Sequence, residues 1–215
     1  MSFIALLLTA IALTIIQIAS IYNRGLTTTE LNSTSRNVSD EITRSMREGG
    51  SFSLNAADQR YVSGAWGGRM CLGKYSYIWN YAAALERGDT KVSTYTTGDT
   101  PITFIRVPDG TGAYCVPSWS GAYPKIVPEG AVELLQTGDH TLSIHRLVVT
   151  SAVSAGDELS KQRLYTVDFT LGTDDIDALN DTQTECKAPN EPGADTQYCS
   201  IQRFTIVVRV VSGGN

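Results

Sequence analysis

Residues 1 to 22, MSFIALLLTAIALTIIQIASIY, carry no charged side chain. As a helix rising about 1.5 Å per residue, a run of this length crosses a hydrocarbon layer of roughly 30 Å. A cleavable signal peptide opens with a basic n-region and has a shorter apolar core, whereas no Lys or Arg precedes Arg24 here. A membrane helix is therefore expected in preference to a signal peptide or a helix buried in a soluble core.

The helical signal does not stop at the first charges. Leu31, Val38, Ile42 and Met46 recur at spacings of seven, four and four among Arg, Asp, Glu, Ser and Asn, which makes one apolar stripe suited to packing on a sheet. Gly49-Gly50 supplies a stop, and Arg44 and Arg47 lie in the last turns, where cations complement the helix dipole. Between Asn23 and Thr29 two readings stand. Gly25 and three consecutive threonines are poor helix formers, and Thr27 with Glu30 has capping-box spacing, so the segment is either a melted turn or a weak stretch of continuous helix.

Beyond Gly50 the sequence changes to short segments rich in Val, Ile, Thr, Tyr and Phe, separated by Gly, Pro, Asp and Asn, the pattern of antiparallel strands. A hairpin is expected from PITFIRV (101 to 107) through PDGTG to AYCV (113 to 116). Strands are expected at 140 to 153, 164 to 171 and 200 to 212. KYSYIWNYAAALE (74 to 86) is strand-like in its first half and helix-favouring in its second. The fold class is α+β: a long N-terminal helix packed on an antiparallel β-sheet head. Residues 1–22 form its hydrophobic membrane part, 23–49 the amphipathic continuation, and 50–215 the β-rich head.

Cys71, Cys115, Cys186 and Cys199 include no CxxC pair and no zinc-ligand grouping, and an even count on an exported head reads as disulfides. Three pairings are possible. The polar loop KAPNEPGADTQY favours Cys186 with Cys199, which leaves Cys71 with Cys115. The formal charge of −5 lies beyond Gly49, because residues 1–22 are uncharged and four Arg offset four acids in 23–48. An acidic head argues against sequence-independent nucleic-acid binding, which rests on Lys and Arg neutralising phosphates. His140 and His145, five apart on one expected strand, point to opposite faces and do not share a metal. Asp174, Asp175, Asp177 and Asp181 concentrate carboxylates in one loop but lack the EF-hand spacing, so a solvated turn is favoured over a calcium site. No catalytic residues, metal or cofactor are expected.

A hydrophobic helix that enters an amphipathic half without a linker, followed by a sheet and a C-terminal cysteine-closed loop, resembles the type IV pilins and pseudopilins. ELNSTSRNVSDEITRSMREGGSFSL (30 to 54) looks like the helix end of minor pilins, and CSIQRFTIVVRVVSGGN looks like their last strand. The family's leader ends in Gly followed by a Phe-Thr-Leu-x-Glu type of start, which is missing here. The resemblance implies either that Met1 lies inside a longer helix or that the anchor is never processed. It further implies a filament core built from Phe3, Ile4, Leu7, Leu8, Ile11, Ile15 and Ile18, and a Cys186 to Cys199 loop at the filament surface. Implied partners are other pilin subunits and, before assembly, the inner membrane, with the head outside the cytoplasm. The competing expectation is a permanently membrane-anchored binding or adhesion protein; an envelope hydrolase lacks a recognisable catalytic set.

Overall fold

In a computed structural model, the protein is described over residues 2–54, 60–87, 91–115, 123–135, 141–152, 162–195 and 197–211. It begins with one helix, α1 (Ser2–Gly49), of 48 residues, about 72 Å long at the usual rise. The weak stretch between Asn23 and Thr29 is continuous helix. Thr27, Thr28 and Thr29 each turn the side-chain hydroxyl back onto the carbonyl four residues earlier, at 3.1, 2.9 and 2.8 Å. Those bonds occupy the hydroxyls that would otherwise compete for the backbone, so Thr27 does not start a separate helix.

Two antiparallel sheets form the head. The first has five strands in the order β1 (Tyr61–Ser63), β2 (Gly67–Leu72), β3 (Tyr75–Asn80), β5 (Phe104–Pro108) and β7 (Val132–Glu133). The second has three, in the order β10 (Ile201–Val211), β9 (Gln162–Thr173) and β8 (Leu142–Ala152). A short parallel ladder joins β4 (Thr94–Tyr95) to β6 (Lys125–Ile126). The undecided segment 74 to 86 divides as its composition does: the aromatic half is β3, and AAALE is a one-turn helix, α2 (Ala82–Glu86).

One expectation fails. Residues 101–107 and 113–116 do not form a hairpin. β5 pairs with β3 and β7 instead, and residues 111–115 are turns and irregular chain, Val116 lying outside the described residues. The reason lies in Asp109. Its carboxylate accepts the Ser76 hydroxyl at 2.6 Å and the backbone N–H groups of Ala113 and Tyr114 at 2.6 and 3.2 Å. That local network coils the chain and brings Cys115 to Cys71, so no returning strand is built.

The sheets meet through hydroxyls as well as apolar contacts. Tyr61 accepts the Val149 N–H at 3.1 Å and donates to the Leu147 carbonyl at 3.2 Å, with Tyr81 donating to the same carbonyl. These bonds satisfy the outer edge of β8, which would otherwise present open backbone groups. A parallel bridge between Tyr81 and Ile144 completes the junction. Buried Asn80 ties in the long connection after α2: it donates to Ser93 and Ile102 carbonyls and accepts the Ser93 N–H, at 2.8 to 2.9 Å.

Helix α1 closes the core between the sheets. Leu31, Val38, Ile42 and Met46 are at most 1% exposed and pack with Tyr77, Trp79, Phe104, Phe169 and Val208. The same face also buries Thr27, Thr34, Ser35 and Ser45, small residues that let the helix lie close to the strands. The helix ends at Gly49 against the β2–β3 turn. A Cβ there would come within 3.0 Å of the Leu72 carbonyl carbon, and Gly50 follows at φ +73°. The backbone of Gly50 favours glycine, and a side chain at Gly49 would press on the β2–β3 turn. The chain is then clamped by Tyr165, whose ring stacks on Phe52 at 4.7 Å and whose hydroxyl accepts the Phe52 N–H at 2.8 Å.

Candidate functional site: the apolar half of the helix and its seat on the head

Helix α1 has two environments along one axis. Its head half buries one face in the core, while the apolar side chains of the other half are exposed among the described residues. Phe3, Ile4, Leu7, Leu8, Ile11, Ile15 and Ile18 are 47–76% exposed, and none of the most apolar stretch is buried. Burying side chains of this kind is worth about 1.5–3 kcal/mol each, on the order of 10 kcal/mol for the seven. The helix is long and apolar enough to cross a lipid layer. The hydroxyls inside it do not oppose this, because Thr9 donates to the Ala5 carbonyl at 2.8 Å and Thr14 to that of Ala10 at 2.6 Å.

The joint between the halves is held at two levels. Near the start of the head, the Asn23 amide donates to the Tyr198 hydroxyl at 3.2 Å. Higher up, Glu41 receives the Tyr77 hydroxyl at 2.9 Å and the Arg106 guanidinium at 2.6 Å and also pairs with Arg44, while Tyr77 and Ser45 hydroxyls meet at 2.6 Å. Burial pushes the Glu41 carboxyl up, but the bonds from Arg106 and Tyr77 and the two guanidinium charges outweigh it and hold the group below the usual carboxylate range. Burial raises the Tyr77 hydroxyl strongly, so it remains a donor. Sequence periodicity marks the apolar stripe but gives no sign of this polar cluster, because Glu41 reads as one more solvated helix charge.

Disulfides join Cys71 to Cys115 and Cys186 to Cys199, with Cα separations of 6.3 and 6.0 Å. The chain-entropy relation assigns them about 4 and about 3 kcal/mol for their loop lengths. Asp109 lies beside the first pair, close enough for the three side chains to resemble a metal-ligand group; both sulfurs are bonded to each other, and the carboxylate is engaged by the turn described above.

The four loop aspartates do not converge on a common point among the described residues. Asp175 instead caps the 3-10 turn Ile176–Ala178, accepting the Asp177 and Ala178 N–H groups at 3.0 and 3.3 Å. His145 sits where the β8–β9 register shifts between Ile144 and Arg146, so simple alternation does not set its face. Its Nε2 lies 3.0 Å from the Thr173 carbonyl. His140 lies outside the described residues.

The Cys186–Cys199 loop lies at the foot of the head, since Tyr198 reaches Asn23. Cys199 is buried with Ala178 and Leu179 in a small core of its own. No family model matches the chain, and no curated protein and no solved structure matches it.

Proposed function

We propose that this chain is a structural subunit of a type IV pilus or a related pseudopilus filament, most like a minor pilin. In this reading residues 1–22 hold it in the inner membrane before assembly and pack among the helices of other pilin subunits afterwards, with the head outside the cytoplasm. The role is structural and non-enzymatic. The observation that carries the proposal is that the exposed apolar half and the head-bearing half are a single unbroken helix. A rigid rod of that kind fixes each head relative to the packed helices, which a flexible tether does not do. Gln17, exposed on the apolar half, then finds partners on neighbouring helices, where a buried amide needs them.

A permanent membrane anchor carrying a binding head is the second reading. The bond between Asn23 and Tyr198 favours it, because it seats the head directly at the end of the apolar segment. Substitution separates the two. Ile15→Asp or Ile18→Asp places a carboxylate where the present side chain is 61% or 62% exposed. Filament assembly is expected to be lost while the head of the full-length variant, solubilised in detergent, melts as the parent's does. Filaments of normal yield and composition from either variant would overturn the proposal.

A further inference from the structure

The geometry points to the disulfide-closed loop between Cys186 and Cys199 as a foot of the head that rests on the lipid headgroups around the helix. This rests on residues 1–22 being inserted in a bilayer, as both readings above require. Asn23 directly follows Tyr22, the last residue of the uncharged run, and α1 is continuous through this point. Along the axis Asn23 is therefore only about 1.5 Å beyond Tyr22. The Tyr198 hydroxyl meets the Asn23 amide at 3.2 Å, so a loop residue 175 positions away in sequence is held at the level where the apolar surface ends.

Phenol rings favour that level, with the ring facing hydrocarbon and the hydroxyl facing water. Tyr22 is 65% exposed and Tyr198 38% exposed, and the next charge, Arg24, has the reach to find lipid phosphates. The loop is built to hold this position. The Asp195 carboxylate accepts the Gln197 and Tyr198 N–H groups at 2.8 and 3.0 Å, fixing the backbone on one side of the ring. On the other side Cys199 is 2% exposed and bonded to Cys186, and Lys187 donates to the Asp177 carbonyl at 2.6 Å.

Lipid contact at Tyr198 is tested on the full chain in phosphatidylcholine vesicles, with a share of the lipid carrying a nitroxide on its headgroup. Tyr198→Trp, Tyr22→Trp and Lys74→Trp are compared, each read as the fluorescence it adds to Trp66, Trp79 and Trp119. Lys74 is exposed on the turn that abuts the far end of α1. The proposal predicts that the nitroxide removes most of the fluorescence added at 198 and at 22 and leaves that at 74. Quenching at 22 without quenching at 198 overturns the foot while leaving the membrane helix in place. Absence of quenching at both sites overturns the foot together with the membrane reading on which it rests. Fluorotyrosine at 198, read as line broadening by the same lipids, repeats the measurement without enlarging the ring.

Discussion

Glu41 is the side chain on which the helix and the head depend electrostatically. It is only 12% exposed and Arg106 24% exposed, so solvent screens their pairing less than that of Glu41 with Arg44, which is 62% exposed. Folding lowers the Glu41 pKa. Its contribution is therefore fully present above the ordinary glutamate value of 4.5 and is lost as pH falls through the lower folded value. Replacement by Gln removes the charge and leaves Arg106 without its counter-ion, at an expected cost of about 2 kcal/mol near neutrality. Thermal melts of Glu41→Gln and the parent should differ at pH 7 and converge as the solution is acidified below pH 4.5. A constant difference across that range would show that the carboxylate charge is not what stabilises the joint.

At the scale of elements, α1 supplies an apolar ridge that both sheets share, so the cost of truncating it is a core cost. Ile42 is fully buried, and Ile42→Ala is expected to destabilise the head by about 2–5 kcal/mol, measured by denaturant unfolding. A change below 1 kcal/mol would mean that the helix does not close this core. The ridge was legible in the sequence because Leu31, Val38, Ile42 and Met46 keep helical spacing.

Other features were less legible. Thr27, Thr34, Ser35 and Ser45 share the buried face yet read as polar. Thr27 and Ser35 each satisfy the hydroxyl on the helix's own backbone, a bond that leaves no trace in hydropathy. The turn signal at residues 108 to 112 was real but led to the wrong partner, because Pro, Asp and Gly specify a local bend and do not say what the chain pairs with afterwards. Long strands were read well, as β8, β9 and β10 show, since runs of eleven or twelve residues rich in β-branched and aromatic residues fit a pleated, half-buried surface. Short β4, β6 and β7, of two residues each, carry too few residues for any period.

For the whole molecule, the decisive fact is the contrast along one helix: a rod whose lower half exposes its apolar residues and whose upper half carries the head. The apolar half was the clearest feature of the sequence, because 22 uncharged residues need no tertiary knowledge to interpret. The seat of the head was not legible, since Asn23 and Tyr198 are brought together only by the complete fold. Under the proposed function, the fixed seat and the unbroken helix would let the molecule pass from membrane to filament as one body, without refolding of the joint. The account's central claim, assembly through this helix, is tested most directly by shearing fibres from intact cells and assaying the fibre and membrane fractions for this chain. The account predicts the chain in the sheared fibres, together with other pilin subunits. Its retention in the membrane fraction of cells whose fibres have been removed, with none in the fibres, would contradict assembly and favour the permanent anchor.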